Sequence, residues 1–160
     1  MAHIFNSNGK RETMSSLLRE RDSSIWHTSL ANEFGRLAQG IKGRVTATDT
    51  IDFITQQEVP LHKKSTYGNF ICDHKPLKTE ENMVRLTVGG DKLEYEYDTG
   101  SPAASLLETK LILNSTISSA HKGARFMCAD LKDYFLATFM LEPEYMKIQY
   151  EFFPEEIRIA

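Results

Sequence analysis

The stretch Arg125-Phe126-Met127-Cys128-Ala129-Asp130-Leu131-Lys132-Asp133-Tyr134-Phe135-Leu136 holds the side chains best suited to chemistry. Read as a strand over Arg125 to Leu131, its period-two alternation sets Phe126, Cys128 and Asp130 on one face. A carboxylate at the end of an apolar strand costs free energy unless it faces a cation, a metal ion or water. Asp133, three residues on, falls where such a strand should turn over. Asp130 is open to two readings: the partner of something bound, or the N-cap of a helix beginning at Leu131.

The other candidates have plainer readings beside the chemical ones. Arg85 lies in a strand pattern and could pair with Glu80 or Glu81 as an ordinary solvated arginine. Phe135, beside Tyr134 and Leu136, reads as core. Gly89-Gly90 is a better hairpin signal than a phosphate loop. Asn114-Ser115-Thr116 matches a glycosylation sequon, yet it falls inside a helical pattern in a chain whose start has no secretory signal. The histidines His3, His27, His62, His74 and His121 show no ligand spacing. Cys72 and Cys128 lack Cys-x-x-Cys spacing and are expected to be reduced, buried small hydrophobes.

These residues need elements to position them. Residues 1–22 read as a flexible leader and a short helix. A better helix opens at Ser23-Ser24, with Trp26, Leu30, Phe34, Leu37 and Ala38 on one face and Gly40 as its stop. Gly43 to Thr50 is a loop, and Ile51 and Phe53 alternate with Asp52 as a short strand. The middle third reads as a meander of Tyr67–Asp73, Met83–Val88 and Leu93–Tyr97, with Gly89-Gly90-Asp91 as a tight turn. A helix then starts with Ser101 as N-cap and Pro102 as first residue. Its apolar stripe is Ala103, Leu106, Leu107, Leu111, Leu113 and Ile117, with Lys110 and Asn114 intruding and Ile112 outside. Tyr145 to Tyr150 alternates like a half-exposed strand, and Pro154 to Ile157 opens another helix at the end of the sequence, which suggests a longer parent.

Composition sets the limits. The 160 residues suit one domain, with 41% hydrophobic and 26% charged residues in the ordinary soluble range. No apolar run has the length of a membrane span. Lys+Arg 19 against Asp+Glu 22 leaves −3, so no global positive field draws the chain to nucleic acid or an anionic surface. Locally, residues 62–92 carry +2, whereas residues 139–160, with five glutamates, carry −3. An intracellular location, cytoplasmic or nuclear, is expected.

Several of these segments, in order, resemble one family. Ala129 to Leu136 resembles the first active-site box of the reverse transcriptases of copia-type retrotransposons, an aspartate ending a hydrophobic strand with a Phe-Leu pair behind it. Val84-Arg85-Leu86-Thr87-Val88-Gly89-Gly90 resembles the fingers strand of that family. Ser101-Pro102-Ala103-Ala104 and the helix behind it resemble the segment leading into the palm. Glu144-Tyr145-Met146 resembles the stretch after the first box, and Trp26 to Leu37 the helix before the fingers. The agreement spans roughly residues 23–160.

The resemblance implies an α+β fold: an antiparallel fingers sheet with flanking helices, joined to the first strands of a truncated palm over residues 23–160. It implies a role as an RNA-directed DNA polymerase, whose phosphoryl transfer uses two divalent ions about 4 Å apart. Asp130 would be the catalytic carboxylate and, with the Leu131 carbonyl, a Mg2+ ligand. The backbone near Asp133 and Tyr134 would face the triphosphate, Phe135 would lie under the sugar, and Arg85 would contact the phosphates, helped by Lys75 or Lys78. The implied partners are an RNA/DNA primer-template and a dNTP in the full-length relative, no membrane, and self-association through an exposed palm edge.

Departures from the family pattern bear on activity. Ala137-Thr138 stands where such boxes continue with Asn-Gly, and the second box, Tyr-x-Asp-Asp, occurs nowhere in the 160 residues. The expectation is a chain inactive alone, with apolar surface exposed beside residues 124–131 and 144–150. The alternative is a non-catalytic nucleic-acid-binding or protein-interaction module of the same fold class.

Overall fold

Trp26, Leu30, Phe34 and Leu37 recur at helical spacing, and they form the buried face of a 15-residue helix, α2, Ser23–Leu37. The computed structural model describes residues 4–5, 8–20, 23–93, 100 and 103–158. The chain divides into two units, a larger one of residues 1–93 with 135–160 and a smaller one of residues 94–134.

In the larger unit α2 follows a single helical turn, α1, Met14–Leu17, capped by a reciprocal Thr13–Ser16 pair. Ahead of α1, the described part of the expected leader folds back on itself: Phe5 bridges Arg11, and Glu12 N–H donates to Ile4 C=O at 2.8 Å. α2 ends as its glycine foretells. Gly40 takes φ +79° and its N–H closes on Gly35 C=O at 2.7 Å, a left-handed turn where a Cβ would lie 2.9 Å from the Val45 carbonyl. The carbonyls of Arg36 and Leu37 are taken by N–H groups of Thr48, Thr50 and Ile51. This occupies the segment expected as a strand at Ile51–Phe53, which has none; Phe53 instead packs its ring 5.9 Å from Phe34.

β1, Ser65–His74, and β2, Asn82–Val88, form the expected antiparallel hairpin in the register Cys72 to Val84. Cys72 and Val84 join Met14, Leu17, Trp26, Leu30, Phe34 and Ile157 in one core. A third strand, β3, Tyr145–Lys147, pairs with the other side of β1 in parallel, giving the order β2-β1-β3. The expected strand to Tyr150 is thus shorter, because residues 150–152 turn as a 3-10 helix that brings Phe152 within 5.1 Å of Phe70. α4, Glu155–Arg158, forms as expected and buries Ile157. The fold is α+β, with a mixed rather than purely antiparallel sheet. Of the meander's last strand, Leu93 is not in a strand and residues 94–97 lie outside the described residues.

Helix α2 covers the free edge of β2. Ser29 Oγ accepts the Val84 N–H and Glu33 Oε1 the Leu86 N–H, each at 2.9 Å. The match is geometric: four helical residues rise about 6 Å and two strand residues about 6.6 Å. An open edge invites pairing with other chains, and here two of its donors, at Val84 and Leu86, are already used.

The smaller unit is built on α3, Leu106–Ser118. Its start falls later than expected: Ser101 and Pro102 lie outside the described residues, Ala103 and Ala104 are not helical, and Ser105 is the N-cap. Ser105 wins because Glu108 stands three residues on: the Ser105 N–H donates to Glu108 Oε2 at 2.6 Å, and the Glu108 N–H donates to Ser105 Oγ at 3.1 Å. The Ser105 N–H, and secondarily its hydroxyl, hold the Glu108 carboxyl below its ordinary range. Among the described residues no helix is long and apolar enough to cross a membrane.

Candidate functional site

Asp130 is exposed, on an irregular stretch that has no strand pairing among the described residues. This corrects the strand expected over Arg125–Leu131. An apolar run marks a tendency to be buried, but a strand exists only through a hydrogen-bonded neighbour, and among the described residues none pairs with it. Nor is Asp130 the N-cap of a helix at Leu131: Leu131 is irregular, Lys132 and Asp133 form a turn, and a 3-10 helix begins only at Tyr134. Asp133 holds φ +55°, a left-handed conformation that an aspartate tolerates better than most residues. Met127 is 84% exposed and Leu131 64%. Cys128, expected buried, is exposed with them, whereas Cys72 is buried as expected.

The fingers candidates belong to the larger unit. Arg85 projects from the middle of β2, opposite Ile71, and is exposed. Glu80 and Glu81 do not hold it: Glu80 Oε1 instead accepts from Asn32 at 2.7 Å, and among the described residues Arg85 has no ion pair. Lys75 follows β1 and lies 3.8 Å from Asp73 Oδ2, a carboxylate buried to 5% side-chain exposure. Lys78 is exposed at the hairpin tip with no ion pair among the described residues. Phe135 is 77% exposed, so the reading of it as core is corrected. Asp130, Leu131, Asp133 and Tyr134 fall in the smaller unit, and Arg85, Lys75, Lys78 and Phe135 in the larger.

The donor set decides how far Mg2+ fits. Magnesium takes a near-octahedral shell of oxygens, and a two-ion site needs several carboxylates. Among the described residues no three His, Cys, Asp or Glu side chains converge to hold a metal ion. Asp130 and the Leu131 carbonyl supply part of one shell. Among the described residues, this donor set does not complete a two-magnesium centre.

Sequence reasoning gave no notice of a groove of about 560 Å³ in the larger unit, between the start of α1, β1 and residues 147–152. Its walls come from three distant stretches, and no local motif announces such a meeting. Compared with family models, with curated proteins and with solved structures, the chain matches none of them.

Proposed function

We propose that the chain carries the fingers and first active-site box of a reverse transcriptase of the copia type, and that on its own it does not polymerise. What supports the nucleotide-contacting part is the state of Arg85: exposed, mid-strand in an antiparallel hairpin and, among the described residues, without a competing carboxylate. A guanidinium that is to take a phosphate must not already be spent on an ion pair. By the same argument Lys78, rather than the Asp73-held Lys75, assists it. Primer-template, dNTP and Mg2+ belong to this proposal, as do a location inside the cell and self-association through exposed apolar surface.

One observation favours a non-catalytic interaction module instead. α3 buries none of its residues, and Leu106, Leu107, Leu111 and Ile117 are each more than half exposed.

Primer extension separates the two halves of the proposal. With Mg2+ or Mn2+, a primed template and dNTPs, the purified chain should give no product above background, because one carboxylate cannot hold two ions. Extension that disappears in Asp130→Ala would overturn the claim of inactivity.

A further inference from the structure

The groove in the larger unit lies where the pairing of β1 with β3 stops, at Tyr67–Lys147. Its volume, about 560 Å³, falls in the range of small-ligand sites. Phe70 and Phe152 line its floor, two half-buried rings edge to face at 5.1 Å, already fixed by the core. Ser15, Asn69, Lys147 and Gln149 stand around it. Among the described residues, none of these four side chains has a hydrogen-bond or ion-pair partner. Polar groups without internal partners, set round an aromatic floor, are the usual make-up of a binding site. Among the described residues, Lys147 is the sole charged residue in the lining, and no carboxylate there opposes it.

We propose that this groove binds an aromatic monocarboxylate, its ring against Phe70 and Phe152 and its carboxylate on Lys147. The amides of Asn69 and Gln149 then take the polar atoms beside the carboxylate. One cation matches one negative charge. A nucleotide's phosphate suits the site less, since Lys147 stands alone and residues 139–160 carry −3. The same chemistry comes from two sources: a free aryl-substituted acid, or the C-terminal residue of a peptide ending in Phe, Tyr or Trp. The inference is independent of the polymerase reading.

Titration of the isotope-labelled chain followed by amide NMR tests it. N-acetyl-phenylalanine, added to about 10 mM, should shift the amides of Asn69, Phe70, Lys147 and Gln149 saturably, at the weak affinity one ring and one ion pair provide. Replacing the ligand by its neutral carboxamide should weaken binding about five-fold, and Lys147→Ala should do the same. The two losses should not add, because they remove one interaction. The carboxamide makes the comparison on the unaltered protein, so the test does not rest on the variant folding. Tighter binding of a short peptide ending in free phenylalanine assigns the peptide source; equal binding assigns the free acid. Absence of saturable shifts, equal binding of acid and carboxamide, or tighter binding of uridine monophosphate overturns the proposal.

Discussion

Glu33 Oε1 accepts the backbone N–H of Leu86 at 2.9 Å, while its other oxygen takes the Arg36 guanidinium at 2.9 and 3.2 Å. One side chain, 8% exposed, thus closes a sheet edge and neutralises its own buried charge. Glu33→Ala leaves the Leu86 N–H unsatisfied and should cost about 1–3 kcal/mol in urea unfolding. Glu33→Gln keeps an acceptor and should cost less. Equal losses in the two variants would show that the carboxylate's charge, not the captured N–H, is what matters.

Phe34 is the centre of the aromatic packing, fully buried with Phe70 at 5.7 Å and Phe153 at 5.3 Å. Phe34→Ala should destabilise by about 3–5 kcal/mol, transfer and cavity together. In a domain with one small core that is enough to abolish the cooperative transition, which calorimetry would register directly.

Gly89 is required by Tyr67. A Cβ there would overlap the Tyr67 ring, whose hydroxyl bonds Asp91 at 2.9 Å and whose face carries Lys92 at 5.0 Å. Gly89→Ala must move the ring and should cost about 1–3 kcal/mol by overpacking. Adding Tyr67→Ala should recover part of that loss, and a double-mutant cycle measures how much.

How much of this was legible in the sequence depends on how local each signal is. α2 was readable because Trp26, Leu30, Phe34 and Leu37 carry their period in 12 consecutive residues and Gly40 marks the stop. The β1–β2 hairpin was readable for the same reason. The parallel pairing of Tyr145 with Ser65 was not, since it joins residues far apart along the chain without a local cue. Ser101-Pro102 misled because a second cap, Ser105 with Glu108, stands just behind it. Among the site candidates, Arg85 was legible as a strand residue, and it is exposed in β2. Asp130 was legible as a residue type but not as a strand end, because a strand's partners are not written in the strand.

The two thiols should separate cleanly. Burial, and secondarily the charge of Asp73, push the Cys72 thiol up to about 11, while Cys128 is exposed. A disulfide reagent at neutral pH should modify Cys128 first and reach Cys72 only on unfolding. The raised value also fixes a pH trend. The unfolded thiol loses its proton near 9 and the folded one only near 11, so stability from this group is present below pH 9 and falls between about 9 and 11. Cys72→Ala should flatten that part of the curve.

Photolabelling with an azido-dNTP tests the central claim, that β2 presents a nucleotide-contacting arginine. Saturable label should map to the peptide containing Asn82–Val88 and fall about ten-fold in Arg85→Ala, the loss of one charge-assisted contact to phosphate. Asp130→Ala should leave it unchanged, and Lys78→Ala should lower it less than Arg85→Ala. Label that is spread over the chain, or that is as strong in Arg85→Ala as in the parent, would contradict the account.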